Sequence, residues 1–266
     1  MTQVSDRVVL CDTHAHLHAD CDIPLSWNAA YRNLSRFSAG KDFSAVVFLA
    51  DMEGQSFFED LHASIGSKIG STWSVSATDE AVSVKLTRDD GACIYVVAGA
   101  QVVSLERVEV LLLGTRTRLR DGLSLIDVLQ GSGDRTGWTV LPWGVGKWIG
   151  KRGAMVASAF GACPGSAGVW TGDNGNRPWF WPEPELFGRQ RKLGMPVFRG
   201  TDPLRIPGDT LRIGSFGNRL VCDFDPDRPF ASLNAAIRSG DAEIGDFGSP
   251  MGMVRFVANQ IRLRCY

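Results

Sequence analysis

The six cysteines of this chain are spread over its whole length, and none are paired as Cys-x-x-Cys. Six cysteines spread over 266 residues have neither the density of a small disulfide framework nor the spacing of a zinc knuckle, so neither class of fold is expected. The chain also lacks a long apolar run, since no segment approaches the roughly 20 residues of a membrane span. The opening residues, MTQVSDRVVL, have neither the basic start nor the apolar centre of a signal peptide. We therefore expect a cytoplasmic protein without a membrane partner.

Charge of one sign is not in excess either. The 28 lysines and arginines nearly balance the 29 aspartates and glutamates, so bulk charge gives no reason to expect a nucleic-acid partner. A chain of 266 residues with 44% hydrophobic residues can bury roughly 70–75% of its unfolded surface. We find no linker, repeat or low-complexity tract. Residues 1–266 are therefore predicted to form one domain.

Short Val- and Leu-rich runs bounded by Gly, Pro and Asp recur along the chain and predict strands. They are continuous rather than alternating, which is typical of parallel strands buried on both faces. Helical stretches lie between several of them, and this alternation indicates βα units of an α/β barrel. The predicted strands are Arg7–Cys11, Ser44–Ala50, Cys93–Val97, Val108–Leu113, Thr139–Pro142, Gly168–Thr171 and Pro196–Arg199. The predicted helices are Pro24–Phe37, Ser124–Gln130, Glu183–Leu193, Ala231–Arg238 and Met251–Leu263.

The segment Trp73–Leu86 departs from this pattern. Its sequence, WSVSATDEAVSVKL, alternates in polarity, and it is followed by a turn at Thr87–Gly91 and then by the run CIYVVAG. This arrangement predicts an antiparallel β-hairpin inserted on the barrel.

The sharpest feature is the sequence DTHAHLH at residues 12–18, where the predicted first strand ends. Alternate residues of a strand point the same way, so His14 and His16 are expected to face the barrel mouth together, with His18 beyond them. Two imidazoles on one face fit a divalent metal such as zinc, manganese or iron. Barrels of this class carry their active sites at this end. The alternative is two hydrogen-bonding histidines at a strand end, and the position on the first strand favours the metal site.

The segment DTHAHLHADCD resembles the opening motif of the PHP (polymerase and histidinol phosphatase) family, within the amidohydrolase-like barrels. The similarity continues in order through Gly99–Val103, Val108–Gly114, Asp121–Val128, Val140–Pro142 and Gly200–Asp202. It implies a distorted TIM-like (β/α)7-8 barrel and, for active members, phosphoester hydrolysis at up to three metals. The family's metal ligands carry over to His14, His16 and Asp202, with Asp20 or Asp22 as further candidates.

The departures from the family pattern concern its remaining metal ligands. Gln101 stands where the family has a metal-bridging Glu, and apolar residues stand where it has later histidines. A neutral amide and apolar side chains do not replace anionic or imidazole ligands, so we expect one ion or none, rather than a cluster. Asp51, at the end of the second predicted strand, is a candidate to compensate. The apolar positions are Leu111, Leu141 or Trp143, and Leu204.

A second group of polar residues follows the predicted strand Gly168–Thr171. In the sequence TGDNGNRP, Asp173 is a candidate proton acceptor or ligand, Asn174 a candidate substrate-binding residue and Arg177 a candidate anion clamp. An ordinary Asp/Asn/Gly turn is an equal alternative.

Positive charge recurs at two other predicted strand ends. Lys147 lies in the Gly-rich segment Gly144–Gly153, and Arg205 follows Asp202 closely. Flexible backbone with cations suits a phosphate or carboxylate group, although a solvated basic loop is the more common case.

The sequence favours a metal-dependent hydrolase acting on an anionic ester, with a phosphoester preferred, or on an amide. His14, His16 and Asp202 would hold the metal. Asp173 or Asp51 would accept a proton, and Lys147, Arg177 and Arg205 would neutralise a small anionic substrate. The alternative is a non-catalytic ligand-binding or regulatory protein on a decayed PHP-like barrel. A barrel that had lost its activity would also be expected to have lost metal ligands, as this sequence has.

Overall fold

The computed structural model describes residues 7–131, 137–144, 146–162 and 168–265. Residues 1–6, Val145 of the basic segment and Cys163 lie outside this part of the chain. The strands are β1 (Arg7–Ala15), β2 (Phe43–Asp51), β3 (Lys68–Ile69), β4 (Trp73–Ala77), β5 (Ser83–Arg88), β6 (Cys93–Val103), β7 (Glu109–Leu113), β8 (Trp138–Pro142), β9 (Val169–Asn174), β10 (Phe198–Gly200), β11 (Gly217–Cys222) and β12 (Glu243–Phe247). The helices are α1 (Ile23–Ser35), α2 (Phe57–Ala63), α3 (Leu125–Gly131), α4 (Gly150–Ala162), α5 (Glu185–Lys192), α6 (Pro229–Ser239) and α7 (Met253–Cys265), with a 3₁₀ helix at Asp209–Arg212.

These elements form a distorted TIM-like barrel that is nearly closed. The strand order is β10-β9-β8-β7-β6-β2-β1-β11-β12. β1, β2 and β6 are parallel neighbours, as are β8, β9 and β10. β7 runs against both β6 and β8, so the two groups point in the same direction. The carboxyl ends of all the parallel strands therefore meet at one mouth, as the sequence predicted.

The antiparallel direction of β7 corrects the expectation of parallel strands throughout. Only five residues, 104–108, separate β6 from β7. A parallel pair needs a crossover of a dozen residues or more, so this short connection forces an antiparallel return. The apolar run was misleading because β7 is buried on both faces, with Leu111 and Leu113 in one core cluster and Val110 and Leu112 in another.

The predicted antiparallel hairpin is present, with its turn close to the predicted Thr87–Gly91, and the structure adds a second turn within the alternating segment. β4 and β5 pair antiparallel, and β5 pairs antiparallel with the first half of β6. The alternating segment is thus two strands, joined by a turn at residues 78–82, while residues 89–92 lead into the barrel strand β6. Helices α2 and α4 and strands β11 and β12 were not predicted.

The barrel interior is a packed core. Aromatic side chains from three of its strands form a stack: Phe48 stacks on Trp138 at 5.0 Å, and Trp138 stacks on Phe198 at 4.6 Å. Helix α6 packs against this cluster through Phe230 and Leu233. Because Arg238 of α6 donates to the carbonyl of Gly137, just before β8 begins, α6 covers the amino-terminal end of the barrel. The carboxyl-terminal end of the barrel, which α6 does not cover, is therefore where a functional site can form.

The gap between β1 and β10 is bridged by the buried carboxylate of Asp12. It accepts hydrogen bonds from the Thr201 amide at 3.0 Å, the Thr201 hydroxyl at 2.6 Å and the Gly214 amide at 2.8 Å. The amide of His14 adds a fourth donor at 3.2 Å. The side chain of Thr13 also donates to the carbonyl of Arg199 at 2.8 Å. Side chains thus close the barrel where the strand ladder does not.

No helix in the described part of the chain combines the length and the apolar character needed to cross a membrane.

Replacing Asp12 with alanine is expected to lower the free energy of unfolding by more than about 3 kcal/mol. The change leaves several buried donors without an acceptor, each costing about 1–3 kcal/mol. Urea unfolding of the variant beside Asp42→Ala, which removes an exposed carboxylate, measures the difference. Equal stabilities of the two variants would show that Asp12 does not hold the barrel closed.

Candidate metal centre

A β-bulge in β1 turns both histidines of the motif into the barrel. Asp12 pairs with Val47, but Ala15 pairs with Leu49, so three steps along β1 match two along β2. The bulge changes which face the later residues occupy. Cys11 lies in the interior cluster, whereas Ala15 and Leu17 pack in the cluster outside the strands.

The side chains of His14 and His16 consequently converge with that of Asp202, which follows β10. The two Nε2 atoms are 2.9 Å apart, and Oδ1 of Asp202 lies 3.6 Å from that of His14 and 3.4 Å from that of His16. Tetrahedral zinc with bonds of about 2.0–2.1 Å places its ligand atoms about 3.3 Å apart. The observed separations bracket that value, so this donor set fits a divalent metal.

The ring of His16 is oriented by the backbone of β2. Its Nδ1 lies 2.6 Å from the carbonyl oxygen of Ala50, which only accepts hydrogen bonds, so Nδ1 carries the hydrogen. In the neutral ring the lone pair is then on Nε2, the atom that faces His14 and Asp202. A backbone partner of this kind is what fixes the tautomer of metal-binding histidines.

Asp202 is held through both its backbone and its side chain. Its backbone has a positive φ of 44°, a conformation that Asp tolerates better than most residues. The Asp202 amide donates to the carbonyl of His14 at 2.7 Å. The side-chain amides of Asn174 and Asn176 donate to Oδ2 at 2.7 and 3.1 Å. Oδ1 therefore remains directed at the histidines.

Gln101 of β6 completes the group. Its Oε1 lies 3.0 Å from Nε2 of His14, and the residue is buried. The amide oxygen is thus placed among the candidate ligands, at the position where the PHP resemblance expects a Glu. It contributes an oxygen donor without the negative charge.

The pKa values of the three candidate ligands are shifted from their usual values. Burial lowers the pKa of His14 to about 4, against the opposing charge of Asp202. Burial also disfavours the charged form of His16, but its hydrogen bond to Asp202 and the charge of that carboxylate outweigh burial and raise its pKa. The two histidines lower the pKa of Asp202 below its usual value despite its burial. These shifts favour an ionised Asp202 carboxylate, and of the two histidines His16 takes up a proton more readily.

A charged pair stands beside this cluster. Lys147, which follows β8, forms an ion pair with Glu109 at the start of β7. The charge of Lys147 lowers the pKa of both His14 and Asp202, and that of Glu109 raises the pKa of His16. Glu109 was missed in the sequence, although it is the only charged residue in the run VEVLLL.

Asp173 and Arg177 pair with each other and not with the three candidate ligands. Nε and Nη2 of Arg177 donate to the two carboxylate oxygens of Asp173 at 3.0 and 2.8 Å, and Nη1 donates to the Trp181 carbonyl at 2.8 Å. Asp173 precedes Asn174 in β9, so their side chains point to opposite faces. The roles of proton acceptor and anion clamp stay predictions, and these contacts favour the alternative of a braced turn.

Asp51 and Arg205 occupy the two flanks of the site. Oδ2 of Asp51 accepts from the amide of Phe58 at 3.0 Å and from Arg118 at 2.8 Å, so it caps α2. Arg205 is exposed, and its charge acts on His18, whose Nε2 lies 3.1 Å from the Pro203 carbonyl. The part of Asp51 in catalysis and that of Arg205 in substrate binding stay predictions.

Comparison with known proteins identifies the fold alone. No protein-family model matches the chain, and no curated protein matches it. Among solved structures, it is similar to the novel lesion-specific endonuclease PfuEndoQ from Pyrococcus furiosus, at 14% identity and a TM-score of 0.55 over 91% of this chain. The match spans 59% of that endonuclease. A second similar structure is PsfC from Pseudomonas syringae PB-5123, at 14% identity and a TM-score of 0.49, covering 98% of this chain and all of that one.

Metal affinity is expected to rise with pH through the pKa of His16 and to level off above it. Metal and proton compete for the same nitrogen, so affinity should change by up to about tenfold per pH unit on the acidic side. Asp202→Asn removes the charge that raises this pKa and should weaken zinc binding while moving the midpoint to lower pH. Calorimetric zinc titrations at several pH values measure both effects. His62→Ala is the matched control, and a midpoint that Asp202→Asn leaves unchanged would contradict the assignment.

Proposed function

We propose that this chain is a metal-dependent hydrolase of the PHP type that acts on a small anionic ester, with a phosphoester preferred over an amide. The observation that carries the proposal is the convergence of His14, His16 and Asp202 at the carboxyl ends of the barrel strands, where active sites of such barrels lie. The barrel likeness to a lesion-specific endonuclease supports the fold on which the proposal rests.

A divalent metal, when bound by these residues, supplies Lewis-acid polarisation and acidifies water. The side chains around the metal position have the remaining roles. Asn174 and Asn176 keep one carboxylate oxygen of Asp202 occupied, so that the other is available as a ligand. Lys147 and Arg205 provide positive charge toward an anionic substrate, and Glu109 holds the ammonium group of Lys147 beside the cluster. Gln101 offers its amide oxygen as a fourth contact next to His14.

A second candidate is a non-catalytic ligand-binding or regulatory protein on the same barrel. The observation in its favour is Gln101, which adds no negative charge where the family has a Glu. The apolar side chains of Leu111 and Leu141 also lie in core clusters. Such a protein would bind metal and anion without turnover.

Manganese or zinc is expected to activate hydrolysis of small phosphoesters, and His14→Ala should abolish it. Lys147→Ala should raise KM about tenfold or more, the value of one charge-assisted contact. Arg177→Ala is expected to leave KM for the substrate unchanged but to lower stability by about 3–5 kcal/mol, because it leaves Asp173 buried and unpaired.

Steady-state kinetics on a phosphoester and amide panel, with chelator-treated enzyme as the blank, measure these changes. Arg189→Ala, at an exposed arginine of α5, is the control for loss of a cation. Metal binding without hydrolysis of any panel member would favour the second candidate. A tenfold rise in KM in Arg177→Ala, without such a rise in Lys147→Ala, would instead support Arg177 as the anion clamp.

A further inference from the structure

The guanidinium group of Arg212 lies behind the candidate metal centre, at the end of the 3₁₀ helix. Its side chain is only 11% exposed. Nη1 donates to Oδ1 of Asn176 at 2.9 Å and to Oδ2 of Asp209 at 3.2 Å, and Nη2 donates to the carbonyl of Gly175 at 3.1 Å. The guanidinium thus joins the turn that follows β9 to the 3₁₀ helix.

The buried side-chain amide of Asn176 faces groups of opposite hydrogen-bonding character at its two ends. The guanidinium of Arg212 can only donate, so the atom that faces it is the amide oxygen. The backbone carbonyl of Asp202 can only accept, so the atom that faces it, at 2.7 Å, is the amide nitrogen. The orientation of this amide is therefore fixed from both sides.

The amide nitrogen of Asn176 holds Asp202 at two points. Besides the backbone carbonyl, it donates to Oδ2 of the Asp202 carboxylate at 3.1 Å. Asp202 has a positive φ of 44°, a conformation that costs energy in a residue other than glycine and persists where the surroundings hold it. The other carboxylate oxygen, Oδ1, faces His14 and His16. Rotation of the Asn176 amide would remove both of its contacts with Asp202 at once.

The second amide on this carboxylate, that of Asn174, lacks a comparable anchor. Its nitrogen donates to Oδ2 of Asp202 at 2.7 Å, but its buried oxygen has no hydrogen-bond partner among the described residues. An amide bonded through its nitrogen alone loses fewer contacts on rotating than one held through both of its atoms. The orientation of the Asp202 carboxylate therefore depends on Asn176, and through Asn176 on Arg212.

The position of Arg212 is itself set by a close backbone approach and by a buried carboxylate. A methyl group on Gly175 would lie 3.0 Å from Nη2 of Arg212, so glycine leaves the guanidinium its place against the turn. Asp209 is buried, and its other oxygen accepts from Arg255 of α7 at 3.0 Å. Arg212 and Arg255 thus share one carboxylate, whereas the hydrogen bond to Asn176 comes from Arg212.

We propose that Arg212 is a positioning residue of the metal centre: by fixing the amide of Asn176, it holds Asp202 with Oδ1 directed at the metal. Hydrogen-bonded partners behind metal ligands contribute about 10–100-fold to metal affinity. This role rests on the metal centre of the proposed function and does not require hydrolysis.

Zinc titrations of single and double variants test whether Arg212 acts through Asn176. Arg212→Met, which keeps an unbranched side chain without donors, and Asn176→Ala should each weaken zinc binding about tenfold. The double variant should lose no more affinity than either single variant, because both changes remove the same arrangement. Losses that multiply to about a hundredfold would show that the two residues act independently, and would overturn the proposal.

Arg255→Ala is the matched control, because it removes the other arginine on Asp209 and leaves the contact with Asn176 in place. This variant should bind zinc as the unchanged chain does. A loss of affinity equal to that of Arg212→Met would show that the pairing of Asp209 matters rather than the contact with Asn176, and would refute the assignment.

The side-chain amide of Asn176 provides a readout that does not need the metal. In ¹H–¹⁵N spectra of the metal-free chain, Asn176→Ala identifies the side-chain NH₂ signal of this residue. Arg212→Met should shift that signal and speed the exchange of its hydrogens with solvent, and Arg255→Ala should do neither. A signal that Arg212→Met leaves in place would contradict the proposed role of Arg212.

Zinc binding by the unchanged chain separates this role from the metal centre itself. An unchanged chain that binds no zinc would refute the metal centre and the role of Arg212 with it, whereas unaltered zinc affinity in Arg212→Met would refute that role alone. If Arg212→Met does not fold, Asn176→Ala decides the matter. Unaltered zinc affinity in Asn176→Ala would overturn the proposal, since Arg212 reaches Asp202 through this amide.

Discussion

The carboxylate of Asp12 joins three parts of the molecule that the sheet does not connect. Its hydrogen bonds reach Thr201 after β10 and Gly214 beyond the 3₁₀ helix, and they close the barrel beside β1. Burial raises the pKa of Asp12 to about 6, although the surrounding donors oppose this shift. The cost of burying this group is offset only while every donor is in place, so its geometry is tightly constrained.

The metal centre depends on the same closure. The bulge that begins at Asp12 turns His14 and His16 inward, and the Asp202 amide binds the carbonyl of His14. A side chain at Gly200 would lie 2.2 Å from the amide nitrogen of His14, so the two backbones approach as closely as glycine permits. One set of contacts thus brings candidate ligands from β1 and from the end of β10 to the same mouth, although Thr13 and Arg199 on these strands are 186 positions apart in sequence.

Much of this arrangement could be predicted from local sequence. Short apolar runs ending at Asp or Pro marked the barrel strands, because strands buried on both faces need apolar residues at every position. The spacing of His14 and His16 placed them on one face, and the resemblance to the PHP family added Asp202. Features that depend on partners distant in sequence were not predictable. The β1 bulge is an example, because it is defined by pairing with β2. The direction of β7 was missed for a different reason: its strand partner β6 was predicted to end at Val97, whereas it continues to Val103 and leaves only a short return.

The surroundings of the site show the same limit. Asp173 and Arg177 have the composition of a ligand-binding turn, but their four-residue spacing lets them pair with each other, and a composition pattern does not distinguish the two outcomes. Gln101 was read as a lost ligand, yet its amide oxygen contacts His14. Asn176 was not singled out, because its task is to hold Asp202, a residue 26 positions away. Positioning residues have no local signature.

X-ray absorption at the zinc edge tests the central claim most directly, because it reports the atoms around the metal rather than the consequences of binding. The account predicts one zinc per chain with nitrogen and oxygen neighbours at about 2.0–2.1 Å. It also predicts outer scattering from two imidazoles, which disappears when His14 and His16 are both replaced by alanine. A sulfur neighbour at about 2.3 Å, or an imidazole signal that persists in that double variant, would contradict it.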